Sequence, residues 1–480
     1  MKLKNIFNFD REYLRILKFV AISAFISVSI GFYFGAKDKV YIPEKYGMTR
    51  EEYIKFMEVY DSLLSIHIKE LDSDSLIVGA INGMLSIVDD PYTIYMNFEE
   101  LKDFDESVEG KYEGIGAVVF MGSDGYPTIE SAFKDSPAEK AGLMPLDKIV
   151  SVDNKDVKDM TLQEVVNLIK GPKGTIVKLG IKRKDMQELL YFNVKRDVIK
   201  IVSVESKLYK ENNKKIGYID ILEFSGNTIE EMYTELNKLE REKIDGLIID
   251  VRKNPGGYLH VVEEIASIFI DTDKNIYQLE YKNGTIKPQK SLIKGKKNYE
   301  IVVLIDEGSA SGSEILAAAL KESGGYEVIG TNSFGKGTVQ TLIYLIDKSA
   351  LKITHQKWLT PNGNWIHNKG VEPTIYVKQP DYFYYAPIGF KEELKYNDNN
   401  ETVKRMQLIL NALGYNTRVD GYFDKNTENV LKSFQKHQQL ETTGTLNEIT
   451  AIKLESLLLE KINDEKNDLQ LKKTLEILSK

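Results

Sequence analysis

The chain has 480 residues, of which 42% are hydrophobic and 28% are charged, and its net charge is −8. This length exceeds one compact core, so several domains are expected, and the composition excludes wholesale disorder. The acidic balance without a basic stripe argues against nucleic acid as the main partner, and the lack of cysteine excludes disulfides, thiolate catalysis and cysteine-ligated metal.

The N-terminal region contains an uncharged stretch from Phe19 to Ala36, bracketed by Lys18 and Lys37. As a helix it would be about 27 Å long, close to the minimum for crossing a bilayer. Because basic residues precede it, the positive-inside rule predicts a cytoplasmic N-terminal segment, a single transmembrane anchor and an extracytoplasmic remainder. The alternative is a cleaved signal peptide, but the stretch is longer than the usual apolar region of such peptides and lacks a clear A-x-A site.

Hydrophobic periodicity divides the chain into regions and predicts a multidomain α/β fold class. One amphipathic helix, from Leu162 to Lys170, is expected within a mostly β module, and near-continuous apolar strands such as GLIIDV alternate with helices in the largest region. The predicted regions are a cytoplasmic N-terminus (1–18), an anchor (19–36), a helical region (40–104), a β module (105–197), an α/β core (198–378), a tyrosine-rich linker (379–400), a small helical domain (401–462) and a charged, solvated tail (463–480).

The small helical domain contains an internal repeat. Gly421-Tyr-Phe-Asp424-x-x-Thr427 and Gly444-Thr-Leu-Asn447-x-x-Thr450 each have a turn followed by helical spacing. The repeat predicts that Asp424 and Asn447 are the N-cap residues of two helices.

The segment GTNSFGKGT at 330–338 nearly matches the phosphate-binding loop G-x-x-x-x-G-K-[ST]. Residue 337 is glycine where that loop needs a hydroxyl group for magnesium, and the following VQTLIYL alternates like a strand instead of opening a helix. A nucleotide site is therefore rejected, and Lys336 needs another explanation.

Lys336 is either a solvent-facing lysine in a glycine turn or a general base. Gly335 and Gly337 permit close backbone approach, and Gln340 lies on the same face of the predicted strand as the lysine. To accept a proton near neutral pH, the lysine needs a pKa about three units below its usual value of about 10.4, which burial can achieve. The sequence leaves both readings open.

The candidate nucleophiles lie in DEGSASGSEILAAAL, residues 306–320, where a buried strand passes into an alanine-rich helix. Ser311 and Glu314 also match a capping box, in which the serine merely begins the helix. Capping accounts for one serine but not for the run of Ser309, Ser311 and Ser313, and a helix N-terminus also stabilises an oxyanion. Catalysis and capping both remain possible for Ser311.

The histidines do not supply a conventional catalytic triad or a metal site. The chain has five histidines, and the sequence contains neither a G-x-S-x-G elbow nor an H-E-x-x-H motif. No metal or other cofactor is expected, and lysine becomes the better candidate base.

Three motifs together resemble those of the carboxy-terminal processing peptidases, also called tail-specific proteases: SASGSEI at 309–315, FGKGTVQ at 334–340 and LIIDVRKNPGGYL at 247–259. The resemblance implies a serine endopeptidase in which Ser311 is the nucleophile, Lys336 is the base and Gln340 orients the lysine. It covers about residues 50–378 and includes DPYTIYM at 90–96.

The same resemblance implies an oxyanion hole made of backbone N–H groups. Those groups would come from the N-P-G-G turn, at Gly256 or Gly257, and from Gly312, which follows the serine. Hydrogen-bond donors at these positions would stabilise the negative charge of a tetrahedral intermediate.

The β module resembles a PDZ domain. Gly114, Ile115 and Gly116 match the carboxylate-binding loop of such domains, and the strand after them would pair with the last residues of a substrate tail. The alternative for this glycine pair is a simple tight turn. The resemblance implies protein substrates with free C-terminal tails.

The helical repeat resembles a peptidoglycan-binding module, with VDGYFDKNTENVLKSFQ as its most characteristic stretch. The alternative is a protein-interaction domain. The family resemblance also suggests a homodimer formed through the helical region 40–104. A different class of function remains as an alternative: an inactive scaffold in which the PDZ-like and wall-binding modules tether proteins and Ser311 only caps a helix.

Overall fold

The computed structural model describes residues 47–122, 124–184, 186–291, 293 and 295–480. The predicted cytoplasmic segment 1–18 and anchor 19–36 lie outside the described residues. Within the described ranges, no helix combines the length and the apolar character needed to cross a bilayer.

The chain divides into two compact units, residues 1–89 and 90–480. The described part of the first unit consists of α1 (Arg50–Ile66) and α2 (Ser73–Ser86), in agreement with the helical spacing of this region. A capping box of Thr49 and Glu52 begins α1, and the Asp72 side chain begins α2. Neither helix contains a buried residue, so the first unit presents apolar side chains at its surface.

The second unit begins with β1 (Ile94–Met96) and α3 (Phe98–Glu109), which lead into the β module. The strands of this module are β2 (Lys111–Gly114), β3 (Ala117–Met121), β4 (Pro127–Ala132), β5 (Lys148–Val152), β6 (Lys155–Asp156), β7 (Ile176–Lys182), β8 (Leu190–Lys195) and β9 (Asp197–Lys200). The main sheet has the order β3-β4-β5-β7-β8, with β6 paired to β5, so β3 lies at an edge.

Two helices cover the sheet of the β module. The predicted amphipathic helix is present as α5 (Leu162–Ile169), and Lys170 is its C-cap residue. A short helix, α4 (Pro137–Ala141), was not predicted, because five residues are too few to show a period. Their apolar side chains pack with Ile129, Ile149 and Leu179 into one core.

The α/β core contains a six-stranded sheet whose order is β10-β11-β12-β15-β16-β19. Its strands are β10 (Val204–Glu211), β11 (Lys214–Ile221), β12 (Gly246–Asp250), β15 (Glu300–Ile305), β16 (Glu327–Gly330) and β19 (Ile375–Tyr376). Apart from the antiparallel pair β10–β11, neighbouring strands run parallel. Every residue of β12 is buried, as its continuous apolar run predicts for a strand covered on both faces.

One face of this sheet packs against α6 (Thr228–Arg241), α7 (Leu259–Ser267) and α8 (Gly312–Ala319). A π-helical turn, Leu320–Gly324, extends α8. A second, five-stranded sheet adjoins this core in the order β1-β18-β13-β14, with β17 paired to β18. Its other strands are β13 (Asn275–Tyr281), β14 (Ile286–Lys290), β17 (Thr338–Tyr344) and β18 (Ala350–Leu359).

The C-terminal module contains α9 (Glu401–Ala412), α10 (Lys425–His437) and α11 (Glu448–Asn463). The predicted caps are confirmed, since the side chains of Asp424 and Asn447 accept hydrogen bonds from backbone N–H groups three residues later. A buried glutamine repeats with the caps: Gln407 accepts from the N–H of Gly421 and Gln435 from that of Gly444.

The predicted linker is part of this module and not a free connection. It contains a 3₁₀ turn at Asp381–Tyr384, and Ile388 and Leu394 are buried in the core of the C-terminal module. Its tyrosine-rich, irregular sequence has no period, and therefore gave no sign that these side chains are covered.

The prediction of a solvated tail is wrong. After a 3₁₀ turn at Glu465–Asn467, helix α12 (Leu469–Leu478) packs on the second face of the six-stranded sheet. Leu471 and Leu478 are buried there against Ile248 and Val302, and the Asp468 carboxylate pairs with Arg252 at 2.8 Å. The last helix of the chain therefore completes the α/β core.

A substitution in α12 tests this placement. Leu471→Ala should destabilise the α/β core by about 2–4 kcal/mol, because Leu471 is only 3% exposed and its loss leaves a cavity against the sheet. Leu469→Ala is the matched control, since Leu469 is 41% exposed on the same helix. Thermal and urea unfolding of both variants provide the measurement, and equal stability of the two would contradict the packing.

Candidate active site

The serine run lies in the turn that connects β15 with α8. Ser311 is the N-cap residue of α8 and has a φ of +53°, a backbone conformation that costs energy for any residue with a side chain. The Glu314 half of the predicted capping box is present, since its carboxylate accepts from the N–H of Ser311 at 2.8 Å. The Ser311 hydroxyl makes no capping hydrogen bond, because the N–H of Glu314 donates to the Ser311 carbonyl at 3.0 Å instead. The Ser311 hydroxyl is thus not occupied by beginning the helix.

The neighbouring serines are buried and have structural partners. The Ser309 hydroxyl donates to the carbonyl of Val251 at 2.8 Å, and the Ser313 hydroxyl donates to that of Asn254 at 2.9 Å. Ser311 is the partly exposed member of the run and lines a cleft of about 800 Å³. These different environments distinguish the three serines, which spacing alone could not do.

The turn at Asn254–Gly257 is joined to the serine turn by hydrogen bonds. The N–H of Ala310 donates to the Asn254 carbonyl at 3.0 Å, and the buried Asn254 side chain donates to the carbonyl of Ile221 at 2.6 Å. At Gly257, with φ of +149°, a Cβ atom would lie 2.2 Å from the Phe224 carbonyl oxygen, so only glycine fits.

The candidate oxyanion donors differ in availability. The N–H of Gly256 already donates to the Asn254 side chain at 2.8 Å. The N–H groups of Gly257 and Gly312 have no acceptor among the described residues, and both residues line the cleft with Ser311. The geometry therefore favours Gly257 over Gly256.

The carboxylate of Glu314 connects two segments: the turn between β15 and α8 that contains Ser311 (the serine turn), and the loop before β17 that contains Lys336 (the lysine loop). It is fully buried and accepts four hydrogen bonds: from the N–H of Ser311 (2.8 Å), the hydroxyl of Ser333 (2.6 Å), the N–H of Gly335 (2.6 Å) and the N–H of Lys336 (2.8 Å). A buried carboxylate is costly unless its hydrogen bonds are made, so it holds these two segments at a fixed separation.

The backbone of the lysine loop is also held from its other side. The indole N–H of Trp358, which is buried, donates to the Lys336 carbonyl at 2.8 Å, and that of Trp365 donates to the Gly337 carbonyl at 2.8 Å. The N–H of Gly337 donates to Nδ1 of His367 at 3.3 Å. Lys336 is therefore an anchored residue and not part of a solvent-facing glycine turn.

The environment of the Lys336 side chain lowers its pKa. Burial is the largest cause, and the nearby ammonium group of Lys352 lowers the pKa further, while Glu314 and Asp90 oppose the shift. The Tyr92 ring, whose centre lies 4.7 Å from Nζ, also favours the ammonium form. The net shift is in the direction that a general base requires.

Gln340 lines the same cleft as Lys336 but is hydrogen-bonded elsewhere. Its amide group donates to the hydroxyls of Thr338 (3.0 Å) and Thr354 (3.1 Å), next to a bulge in β17. Among the described residues, no hydrogen bond joins Gln340 to Lys336. The structure brings the two into one cleft without linking them.

The loop that the sequence predicts to bind a carboxylate lies between β2 and β3 of the β module. Gly116 has a φ of +75°, Ile115 is buried, and the carbonyl of Ile115 accepts from the N–H of Ala138 at 2.8 Å. The N–H groups of Ile115 and Gly116 have no acceptor among the described residues, and β3, which follows them, has a free edge in its sheet. This is the arrangement that strand addition of a peptide tail requires.

Several residues near Lys336 were not predicted from the sequence to contribute to the site. Asp90 accepts from the N–H of Tyr92 at 3.0 Å and from the Thr93 hydroxyl, which orients the tyrosine ring near Lys336. Their segment, DPYTIYM, was part of the family resemblance, but the sequence gave no functional role to any of its residues. Within the described part of the chain, no cluster of three histidine or acidic side chains is arranged to hold a metal ion.

Sequence profiles of four protein families match this chain. Peptidase family S41 matches residues 215–377, a PDZ domain 128–183, a peptidoglycan binding domain 399–454 and the activating protease CtpB N-terminal domain 36–100. The first three ranges lie within the α/β core, the β module and the C-terminal module, and the fourth overlaps the first unit.

Similar proteins cover nearly the whole chain. The carboxy-terminal processing protease CtpB of Bacillus subtilis (strain 168) is 45% identical over 425 residues, which are 88% of each chain. This chain belongs to the carboxy-terminal processing serine proteases. CtpA of the same organism is 38% identical over 98% of this chain and 99% of its own, and a probable CtpA-like serine protease of Staphylococcus haemolyticus (strain JCSC1435) is 38% identical over 87% and 83%. The family resemblance drawn from the three motifs is confirmed.

A substitution of Glu314 tests the connection between the two loops of this carboxy-terminal processing protease. Glu314→Gln replaces one acceptor oxygen by an NH₂ group that faces backbone or hydroxyl donors, so we expect a loss of about 2–4 kcal/mol in stability and at least tenfold in cleavage rate. Glu322→Gln, which alters a single exposed hydrogen bond to Asn362, is the matched control. Unfolding and peptide cleavage are measured together; unchanged values in Glu314→Gln would contradict the connection.

The effect of Lys352 on Lys336 is testable by titration. Lys352→Met removes a like charge, so the pKa of Lys336 should rise. The ¹³C NMR titration of lysine side chains measures this pKa, and Lys348→Met, an exposed position on the loop before β18, should leave it unchanged. An unchanged or lower pKa of Lys336 in Lys352→Met would show that the two ammonium groups do not interact.

Proposed function

We propose that this protease cleaves exported proteins at or near their C-termini with Ser311 as nucleophile and Lys336 as general base. The observation that carries the proposal is the shared cleft, in which a serine without a capping bond and a lysine of lowered pKa belong to two loops held by one carboxylate. The neutral amine accepts the Ser311 proton as Oγ attacks the scissile carbonyl. It then returns that proton to the leaving amine, and water hydrolyses the resulting ester.

The supporting groups follow from the same geometry. The free N–H groups of Gly257 and Gly312 are assigned to the oxyanion that develops on the attacked carbonyl. Gln340 is assigned to orient Lys336 through its amide oxygen when substrate is bound. An inactive scaffold would not need an unbonded serine and a desolvated lysine in one cleft.

The PDZ domain is proposed to receive the substrate tail. The free N–H groups of Ile115 and Gly116, together with the positive φ of Gly116 after Gly114, suit a terminal carboxylate, and the edge of β3 suits the residues before it. Protein substrates with free C-termini are the proposed partners.

Placement in the cell and assembly complete the proposal. The uncharged stretch 19–36 is assigned as a membrane anchor, with the catalytic part on the extracytoplasmic side of a bacterial envelope, and the C-terminal module as a peptidoglycan-binding domain. Helices α1 and α2 are assigned to a homodimer contact, because Val59, Ile66 and Ile87 are exposed apolar side chains in or just after helices that bury none.

Substitutions of the paired residues test the mechanism. Ser311→Ala should fold normally and lose cleavage by at least about 1,000-fold, and Lys336→Arg should be as inactive as Lys336→Ala, because a guanidinium does not release its proton. Ser309→Ala and Ser313→Ala, which each remove one buried hydrogen bond, should retain cleavage and lose about 1 kcal/mol of stability. Turnover by Lys336→Arg would exclude lysine as the base.

The wall-binding assignment needs a deletion that spares α12. Removing everything after residue 395 would also strip α12 from the protease sheet, so residues 401–462 are replaced by a flexible Gly/Ser linker instead. The chain from residue 38 onward should sediment with purified peptidoglycan, and the internal replacement should stay soluble while still cleaving unstructured protein. Sedimentation of the internal replacement would mean that the module is not the wall-binding element.

A further inference from the structure

Glu223 stands out among the residues of the cleft. Among the described residues, its Oε1 is the one buried side-chain nitrogen or oxygen without a hydrogen-bond partner. Buried polar atoms in folded proteins are nearly always paired, so an unpaired one calls for a functional reason. The same carboxylate lines the cleft that contains Ser311 and Gly257, where a bound peptide would lie.

The position of Glu223 is fixed relative to the reacting atoms. Its own carbonyl accepts from the Thr228 hydroxyl at 3.0 Å. The next residue, Phe224, donates its N–H to the Gly256 carbonyl at 3.0 Å and accepts from the N–H of Tyr258 at 2.7 Å. The carboxylate is therefore carried by a loop that pairs directly with the Gly256–Gly257 turn.

The charges around Glu223 are acidic. Burial raises the pKa of Glu223, a hydrogen bond from the Ser225 side chain lowers it, and the Glu231 carboxylate raises it. Glu231 is itself held by the N–H and hydroxyl of Ser203. Tyr258, which also lines the cleft, has its pKa raised by burial and then by Glu109 and Asp105 of α3. Of these carboxylates Glu109 pairs with Lys111 at 3.2 Å, whereas Glu223 has no cationic partner among the described residues.

We infer that Glu223 determines substrate specificity by binding a cationic side chain, lysine or arginine, of the peptide near its scissile bond. An ammonium or guanidinium group would supply the hydrogen bond that Oε1 of Glu223 lacks and would neutralise its carboxylate. A neutral side chain would leave the acceptor unpaired. The cleft contains two lysines, Lys336 from the loop before β17 and Lys352 from β18, and neither pairs with Oε1 of Glu223. The inference rests on the proposed function, because it names the substrates of the same cleft.

The experiment uses the full chain in detergent and peptides with a free C-terminus that differ only in lysine or norleucine. The substituted residue is moved through three positions on each side of the scissile bond. At one position the wild type should cleave the lysine peptide with a kcat/KM about tenfold above that of the norleucine peptide, the scale of one charge-assisted hydrogen bond. Glu223→Gln should reduce this ratio to about one, because the amide cannot form a charge-assisted hydrogen bond with the substrate lysine.

Two further variants sharpen the test. Glu264→Gln, an exposed carboxylate on α7 that does not line the cleft, should keep the lysine preference. Glu223→Lys should reverse it and prefer glutamate over norleucine at the same position. The wild-type ratio remains informative even if a variant does not fold.

The outcomes separate the inference from the proposed function. Cleavage of all peptides by the wild type with no lysine preference at any position would overturn the role of Glu223 and leave the Ser311–Lys336 assignment intact. A lysine preference that survives in Glu223→Gln would also overturn it. Failure of the wild type to cleave any peptide would overturn both.

Discussion

The buried carboxylate of Glu314 is the interaction on which the site depends. Four donors from the serine turn and the lysine loop converge on it, and none of its surface is exposed to solvent. Transfer of a carboxylate into the protein interior is unfavourable by several kcal/mol unless such donors replace water. Neither loop can therefore move away without leaving a charge unpaired, and the distance between Ser311 and Lys336 is set by this constraint.

The surrounding structure places the groups that Glu314 holds together where they suit peptide cleavage. The α/β core places the strained Ser311 turn at the end of a buried strand, beside a glycine turn in which the N–H of Gly257 has no acceptor among the described residues. The lysine loop is anchored by two indole N–H groups, so its side chain can be desolvated without loosening its backbone. Burial of the ammonium group costs stability and lowers the pKa of Lys336, which is the direction that a lysine base requires.

Sequence motifs and hydrophobic periodicity predicted much of this arrangement, but they missed the contacts between segments that are distant in the sequence. The continuous apolar runs predicted the parallel strands, and the repeat predicted the caps Asp424 and Asn447, because both signals are local. Glu314 was visible only as a capping-box residue, since nothing in the sequence reveals that FGKG returns to the same carboxylate. The roles of Trp358 and Glu223 likewise depend on contacts between distant segments.

The C-terminal segment 463–480 shows why a high density of charged residues is a poor predictor of solvent exposure. Leu471, Leu475 and Leu478 follow a helical spacing within a lysine- and glutamate-rich stretch, yet a single short stripe does not say which surface it covers. That surface is the second face of the protease sheet, formed far earlier in the chain. A sheet buried on both faces needs a cover on each side, and this requirement was the available physical clue.

The proposed mechanism requires that Ser311 is the nucleophile and that a neutral Lys336 activates it. Reaction of the full chain with a fluorophosphonate, followed by tandem mass spectrometry of the labelled peptide, identifies the reactive serine. We expect one label, on Ser311, with a rate that rises with pH as Lys336 loses its proton. A label on Ser309 or Ser313, or a folded enzyme whose Ser311 does not react at any pH, would exclude this mechanism.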